Sequence, residues 1–206
     1  MSSDGVISLV VIGGGVLFIS FAQLARRRAV AQRGASLRTS TGLPQIVPYF
    51  FWVPYAVVAF GLGPKIDLEE SLRLGGAALS VLGVAFSLWA IVTLGRHYDL
   101  VLEVHAGHQL VRSGPFAWVR HPVYTGLALH FLAACLATGN VLLLVGTFVV
   151  TLPAFYARAR AEERLLREQI GADYERYMVE VPMLVPGLRW GRSSERSARE
   201  ETRTDR

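Results

Sequence analysis

The chain has 206 residues, 52% of them hydrophobic and 18% charged, with a formal net charge of +5. Its apolar residues come in blocks close to the ~20 residues that a membrane-crossing helix needs, which excludes an ordinary soluble protein and leaves no length for a separate soluble domain of about 100 residues. A single cysteine, Cys135, inside an apolar run excludes a disulfide framework and a thiolate metal site. The positive charge lies largely in arginines of the kind that mark a cytoplasmic face, so membrane lipid explains it and nucleic acid is not needed.

Taken in order, residues 6–24 form the first predicted span, read as retained because no basic n-region or small-residue cleavage site accompanies it. Arg26, Arg27 and Arg28 close it, with Arg33 and Arg38 following, and they mark the cytoplasmic side. The second span covers residues 46–62; Pro48 suits its first turn and Pro54 predicts a kink in its interior. The link GLGPKIDLEES carries more acid than base and belongs outside. The third span, residues 72–94, places Gly76, Ser80, Gly83 and Ser87 at steps of three and four, a stripe that permits close helix packing. Spans four (residues 122–137) and five (residues 141–156) are short and joined by Thr138, Gly139 and Asn140, which predicts a tight helical hairpin.

These spans give an all-α integral membrane protein of about five transmembrane helices. Its amino end lies outside and its carboxyl end in the cytoplasm. After Tyr156 a helix continues, with Leu166, Ile170, Tyr174, Tyr177 and Val181 recurring every three or four residues. That pattern predicts an amphipathic surface helix, with Gly171 a candidate interruption. Residues 1–190 are expected to form one membrane domain and residues 191–206, almost without apolar side chains, a disordered cytoplasmic tail.

Chemistry concentrates between Gly107 and Gly126, in GHQLVRSGPFAWVRHPVYTG. His108, His121, Arg112, Arg120 and Tyr124 fall there around Gly114-Pro115, at the mouth of the fourth span. Pro122 disfavours helical geometry at His121 and suits the first helical position, so a helix is predicted to start there. Membrane-face anchoring accounts for the two arginines and not for the histidines. Downstream, Arg158 and Glu162 are four residues apart, so one helix face presents a cation and an anion able to read a zwitterionic ligand. Glu163 precedes Arg167 by the same step and reads as an ordinary surface pair worth ~0.3 kcal/mol. Gly13-Gly14-Gly15 and Gly75-Gly76 lie in apolar spans and are assigned to packing rather than phosphate binding. No dense histidine and carboxylate spacing suggests a metal.

The run GHQLVRSGPFAWVRHPVYTG, followed by RARAEERLL and then DYERYMVEVPMLVPG, resembles the membrane isoprenylcysteine carboxyl methyltransferase family, relatives of the phospholipid methyltransferases. The resemblance covers residues 95–188. It implies an S-adenosylmethionine pocket on the cytoplasmic side formed by His108, Gln109, Leu110, Val111, Phe116, His121, Pro122, Val123, Tyr124 and Glu162, with Arg158 facing the methyl acceptor. Phe116 stands where tyrosine is common and keeps the ring without the hydroxyl. The implied activity is methylation of the carboxylate of a prenylcysteine or a similar lipid acid. Such a carboxylate, with a pKa near ~3.5, is already ionised at neutral pH and needs no general base. A phospholipid amine N-methyltransferase, which must deprotonate its acceptor, and a nicotinamide-dependent lipid reductase of the sterol-reductase type remain open alternatives. The oligomeric state is also open.

Overall fold

The computed structural model describes residues 3–32, 36–39, 52–98, 103–105 and 110–187. Helix α1 spans Ser3–Ala31. Helix α2 covers Trp52–Ala59, and α3 runs from Glu70 to Leu94 before a 3-10 turn at Gly95–His97. Helix α4 is Pro122–Thr138, α5 is the continuous helix Val141–Ile170, and α6 is Ala172–Glu180. One feature departs from the all-helical expectation. Strand β1 (Ser36–Thr39) pairs antiparallel with β2 (Glu103–His105), joining two connections predicted to lie on the same membrane face.

Among the described residues, three helices, α1, Glu70–His97 and α5, are long and apolar enough to cross a membrane, and α4 is a shorter apolar helix. The second predicted span falls partly outside the described residues. What is described of it is the helix Trp52–Ala59, which contains Pro54; Pro48 lies outside the described residues. The proposed tail at 191–206 also lies outside the described residues.

The core is the pairing of α3 with α4, and the small residues explain it. Gly76, Ser80, Gly83 and Ser87 are buried along one stripe of α3. A Cβ on Gly83 would come 2.6 Å from both the Gly126 carbonyl oxygen and the His130 nitrogen, and one on Gly76 would stand 2.6 Å from the Ala137 nitrogen. With no side chain between them the two backbones touch, the arrangement by which helices associate where water supplies no hydrophobic drive. Helix α1 adds Ile7, Val11, Phe18 and Ala22 to this core, at helical spacing.

An imidazole sits inside the apolar bundle. His130 is fully buried on α4; its Nδ1 lies 2.8 Å from Ser80 Oγ on α3 and its Nε2 lies 3.0 Å from Tyr55 OH on α2. Both ring nitrogens are satisfied, as a polar side chain in hydrocarbon requires. At the far end of the bundle, Asn140 caps α5 by accepting from the Leu143 N–H at 2.8 Å and donates to the Leu62 carbonyl at 2.7 Å. There Gly139 and Asn140 turn the chain between α4 and α5, so the predicted helical hairpin forms.

Helix α5 runs on past Tyr156, as expected. A π segment at Thr147–Thr151 precedes Pro153, and the helix then continues unbroken past Tyr156 to Ile170. Gly171 interrupts it, as anticipated, and α6 folds back so that Tyr174 and Tyr177 are buried instead of lying on a surface.

The close approach has a measurable consequence. Gly83→Ala forces a methyl into backbone, and overpacking of this kind costs roughly 1–3 kcal/mol, whereas Gly75, with open space around its Cβ position, gains about 0.5–1 kcal/mol of helix propensity on the same change. Thermal unfolding in detergent should place Gly83→Ala below the wild type and Gly75→Ala at or above it.

Candidate active site at the membrane face

The turn that presents the site is built from Ser113, Gly114 and Pro115. Gly114 has φ 57°, a left-handed conformation that costs glycine little, and Pro115 opens a 3-10 turn across Gly114–Ala117. His121 is non-helical at φ −124° and ψ 62°, and α4 starts at Pro122, as the His-Pro dipeptide predicts. This segment is held by the chain that follows α6. Arg120 N–H donates to the Pro182 carbonyl at 2.9 Å, His121 N–H to the Met183 carbonyl at 3.1 Å, and Thr125 Oγ1 to the Leu184 carbonyl at 2.7 Å. The start of α4 is thus strapped down by residues some sixty positions away.

Two layers of charge meet there. In the inner layer, Glu163 is buried at 2% exposure and pairs with Arg120 at 2.6 Å. Arg120 also donates through one terminal nitrogen to the Met178 and Val181 carbonyls, at 2.9 and 2.6 Å. In the outer layer Glu162, 24% exposed, accepts a hydrogen bond from the Tyr124 hydroxyl, which itself accepts from Arg158 Nε at 2.7 Å. Arg158 Nε and Glu162 Oε1 are 3.6 Å apart. His121 stands between the layers, with Nδ1 3.3 Å from Glu162 and Nε2 3.4 Å from Glu163. Burial opposes charge on this imidazole, but hydrogen bonding and attraction from both carboxylates outweigh it and raise its pKa above the usual value.

The remaining packing is aromatic. Tyr124 stacks between His121 (centroids 5.9 Å, 23° between planes) and Phe155 (5.8 Å, 21°). The Tyr177 hydroxyl donates to the Phe116 carbonyl at 2.6 Å, and Arg112 lies over the Tyr177 ring at 5.2 Å while its guanidinium reaches the Asp173 carbonyl and Glu180. Arg112 therefore clamps α6 onto the turn.

Of the residues expected to form the site, the fold brings His121, Tyr124, Arg158 and Glu162 together. Phe116 and Pro122 are buried nearby, and Leu110, Val111 and Val123 are partly buried. Phe116 is tied to α6 through its carbonyl rather than to the charged cluster. His108 and Gln109 lie outside the described residues.

The pairing of Glu163 with Arg167 is overturned: Glu163 faces inward to Arg120, and Arg167 Nε instead meets Met178 Sδ at 3.1 Å. Phe155, Ala159 and Glu163 recur at intervals of four, and the packing of α5 buries all three. Arg120, read as an anchor, is the partner that permits the burial. Tyr174 and Tyr177 were visible as a stripe, but not their place beneath the site.

An S-adenosylmethionine molecule presents a sulfonium, an amino-acid zwitterion and a flat base. The donor set fits that chemistry: a partly exposed carboxylate at Glu162, stacked aromatic rings behind it, and a buried imidazole whose Nε2 makes no well-formed hydrogen bond.

Residues 76–168 match the isoprenylcysteine carboxyl methyltransferase family. A probable protein-S-isoprenylcysteine O-methyltransferase of Oryza sativa subsp. indica is 29% identical over 127 residues, covering 61% of this chain and 66% of the rice protein. The Saccharomyces cerevisiae protein-S-isoprenylcysteine O-methyltransferase is 31% identical over 143 residues (68% of this chain, 58% of the yeast protein), and that of Xenopus laevis 30% over 140 residues (67% and 48%). The chain thus spans about half to two thirds of the length of these relatives. Among solved structures, a eukaryotic intramembrane Ras methyltransferase superposes with a TM-score of 0.54 at 23% identity, over 69% of this chain and 49% of that one, and shares the fold. By its matched residues 76–168 and its relatives, this chain is similar to members of the isoprenylcysteine carboxyl methyltransferase family.

Proposed function

We propose that the protein is an S-adenosylmethionine-dependent carboxyl methyltransferase that acts on a prenylcysteine or a similar isoprenoid acid at the cytoplasmic face of a membrane. The amino end lies outside and the bundle crosses the bilayer about five times. The observation that carries this reading is the Arg158, Tyr124, Glu162 row, a cation and an anion held side by side where membrane helices emerge. When bound, S-adenosylmethionine supplies a methyl group on a positively charged sulfur, which passes to a carboxylate oxygen and leaves a neutral thioether.

The protein's part is to hold and align. Glu162 offers a carboxylate to the cationic part of the cofactor, while His121, placed between Glu162 and Glu163, offers an N–H donor to an anionic part. Leu110, Val111, Phe116, Pro122 and Val123, with His108 and Gln109 ahead of them, form the wall for the base. Arg158 binds the acceptor carboxylate through its planar fork and points an oxygen along the line of displacement. The acceptor arrives ionised, so no base is required. This chemistry counts against an amine acceptor, which would meet the Arg158 cation head-on. A nicotinamide-dependent reduction finds no use for the pairing of Arg158 with Glu162. Binding of S-adenosylmethionine and of reduced nicotinamide dinucleotide phosphate to the protein in nanodiscs, tested side by side, decides between the two cofactors.

Two substitutions separate binding from alignment. Glu162→Gln should weaken S-adenosylmethionine binding more than about tenfold, or ~1.4 kcal/mol, with little change in unfolding temperature. Glu163→Gln should do the reverse, because it leaves the buried Arg120 charge without its partner. Titration calorimetry and thermal unfolding on both variants check the pair, and equal losses of affinity would contradict the assignment.

Arg158→Lys keeps a charge and loses the fork. The single-turnover rate of methyl transfer to a prenylcysteine analogue should fall by more than about tenfold, ~1.4 kcal/mol of transition-state stabilisation, while cofactor affinity stays nearly constant. Wild-type rates in this variant would make Arg158 a membrane-face anchor only.

A further inference from the structure

The reaction proposed above needs two ligands loaded together, and a single phenol joins the residues that would receive them. A tyrosine hydroxyl has one proton to donate and lone pairs to accept with. At Tyr124 the proton goes to Glu162 Oε1, and a lone pair takes the Arg158 Nε hydrogen at 2.7 Å. The hydroxyl cannot wander, because its ring is stacked between His121 and Phe155. Arg158 and Glu162 themselves are 3.6 Å apart, just beyond direct hydrogen-bonding distance, so the phenol is the short path between them. The other Glu162 oxygen faces His121 Nδ1 at 3.3 Å, which leaves that carboxylate held on both sides.

Resting on the carboxyl-methyltransferase reading, we propose that Tyr124 is a positioning residue that couples the two binding events: it fixes the guanidinium plane of Arg158 and transmits the charge state of Glu162 to it. With the site empty of cation, Glu162 and the phenol dipole compensate Arg158. When a cationic ligand arrives at Glu162, the carboxylate is shared and Arg158 is left less compensated, so an acceptor carboxylate binds it more strongly. The coupling favours assembly of both ligands and disfavours holding the acceptor alone. By linkage, the acceptor must tighten the cofactor by the same factor. A tyrosine present only to pack would do none of this, since phenylalanine packs as well.

The test uses the full chain in nanodiscs, with N-acetyl-S-farnesylcysteine as acceptor and sinefungin, an unreactive analogue with an amine-bearing carbon in place of the sulfonium. Acceptor dissociation constants are measured with and without saturating sinefungin, and sinefungin constants with and without acceptor. In the wild type each ligand should tighten the other about tenfold. In Tyr124→Phe the factor should fall below about threefold, whatever the change in affinity for each ligand alone. Tyr177→Phe removes another buried hydroxyl from the same region and should keep the full factor. Undiminished coupling in Tyr124→Phe, equal loss in Tyr177→Phe, or no coupling in a wild type that binds both ligands would each overturn the proposal. A wild type that binds the acceptor but no sinefungin would refute the methyltransferase reading itself, and this proposal with it.

Discussion

The ion pair between Arg120 and Glu163 is the interaction on which the membrane face depends. Arg120 belongs to the turn before α4, Glu163 to the far half of α5, and the carbonyls that Arg120 also holds belong to the end of α6. Three segments distant in sequence are fixed by one guanidinium whose planar donors can serve all of them at once, which a lysine ammonium could not do with the same geometry. A buried pair of this kind adds little net stability over well-packed apolar residues, but losing either member leaves a charge stranded. Its effect here is placement: with Glu163 anchored, its neighbour Glu162 is turned toward His121 and Tyr124.

How far the sequence revealed this arrangement follows from the range over which each signal acts. Span-length apolar runs, the small-residue stripe of α3 and the helix start at His121-Pro122 are local patterns, and all were readable. So was the step of four between Arg158 and Glu162. The inward face of Glu163 was misjudged because a nearby arginine offered a plausible partner, and only the packing of α5 against the turn decides which face is buried. His130 gave no signal at all. Its partners Ser80 and Tyr55 are 50 and 75 residues away, and nothing in the apolar run around it says that a polar group there is satisfied.

The same contrast separates the two polar clusters. His130, Tyr55 and Ser80 close on one another within the bundle and leave both ring nitrogens occupied. The cluster at His121 and Glu163 retains atoms without a well-formed bond, namely His121 Nε2 and Glu163 Oε2. Saturation suits a group that only registers helices, and incomplete saturation suits a group with a ligand to meet.

The unbroken length of α5 also makes it a depth gauge. At about 1.5 Å per residue, Arg158 stands about 26 Å along the helix from Val141 and Glu162 about 32 Å, against a hydrocarbon thickness of about 30 Å. On the topology proposed above, with Val141 at one boundary and α5 along the bilayer normal, the guanidinium would lie just beneath the far headgroup boundary and the carboxylate just beyond it. An acceptor anchored by its hydrocarbon tail would keep that tail immersed and raise only its polar end, while a water-soluble donor would descend no deeper than the headgroups. Two molecules of opposite solubility can meet at such a height without either leaving its own solvent.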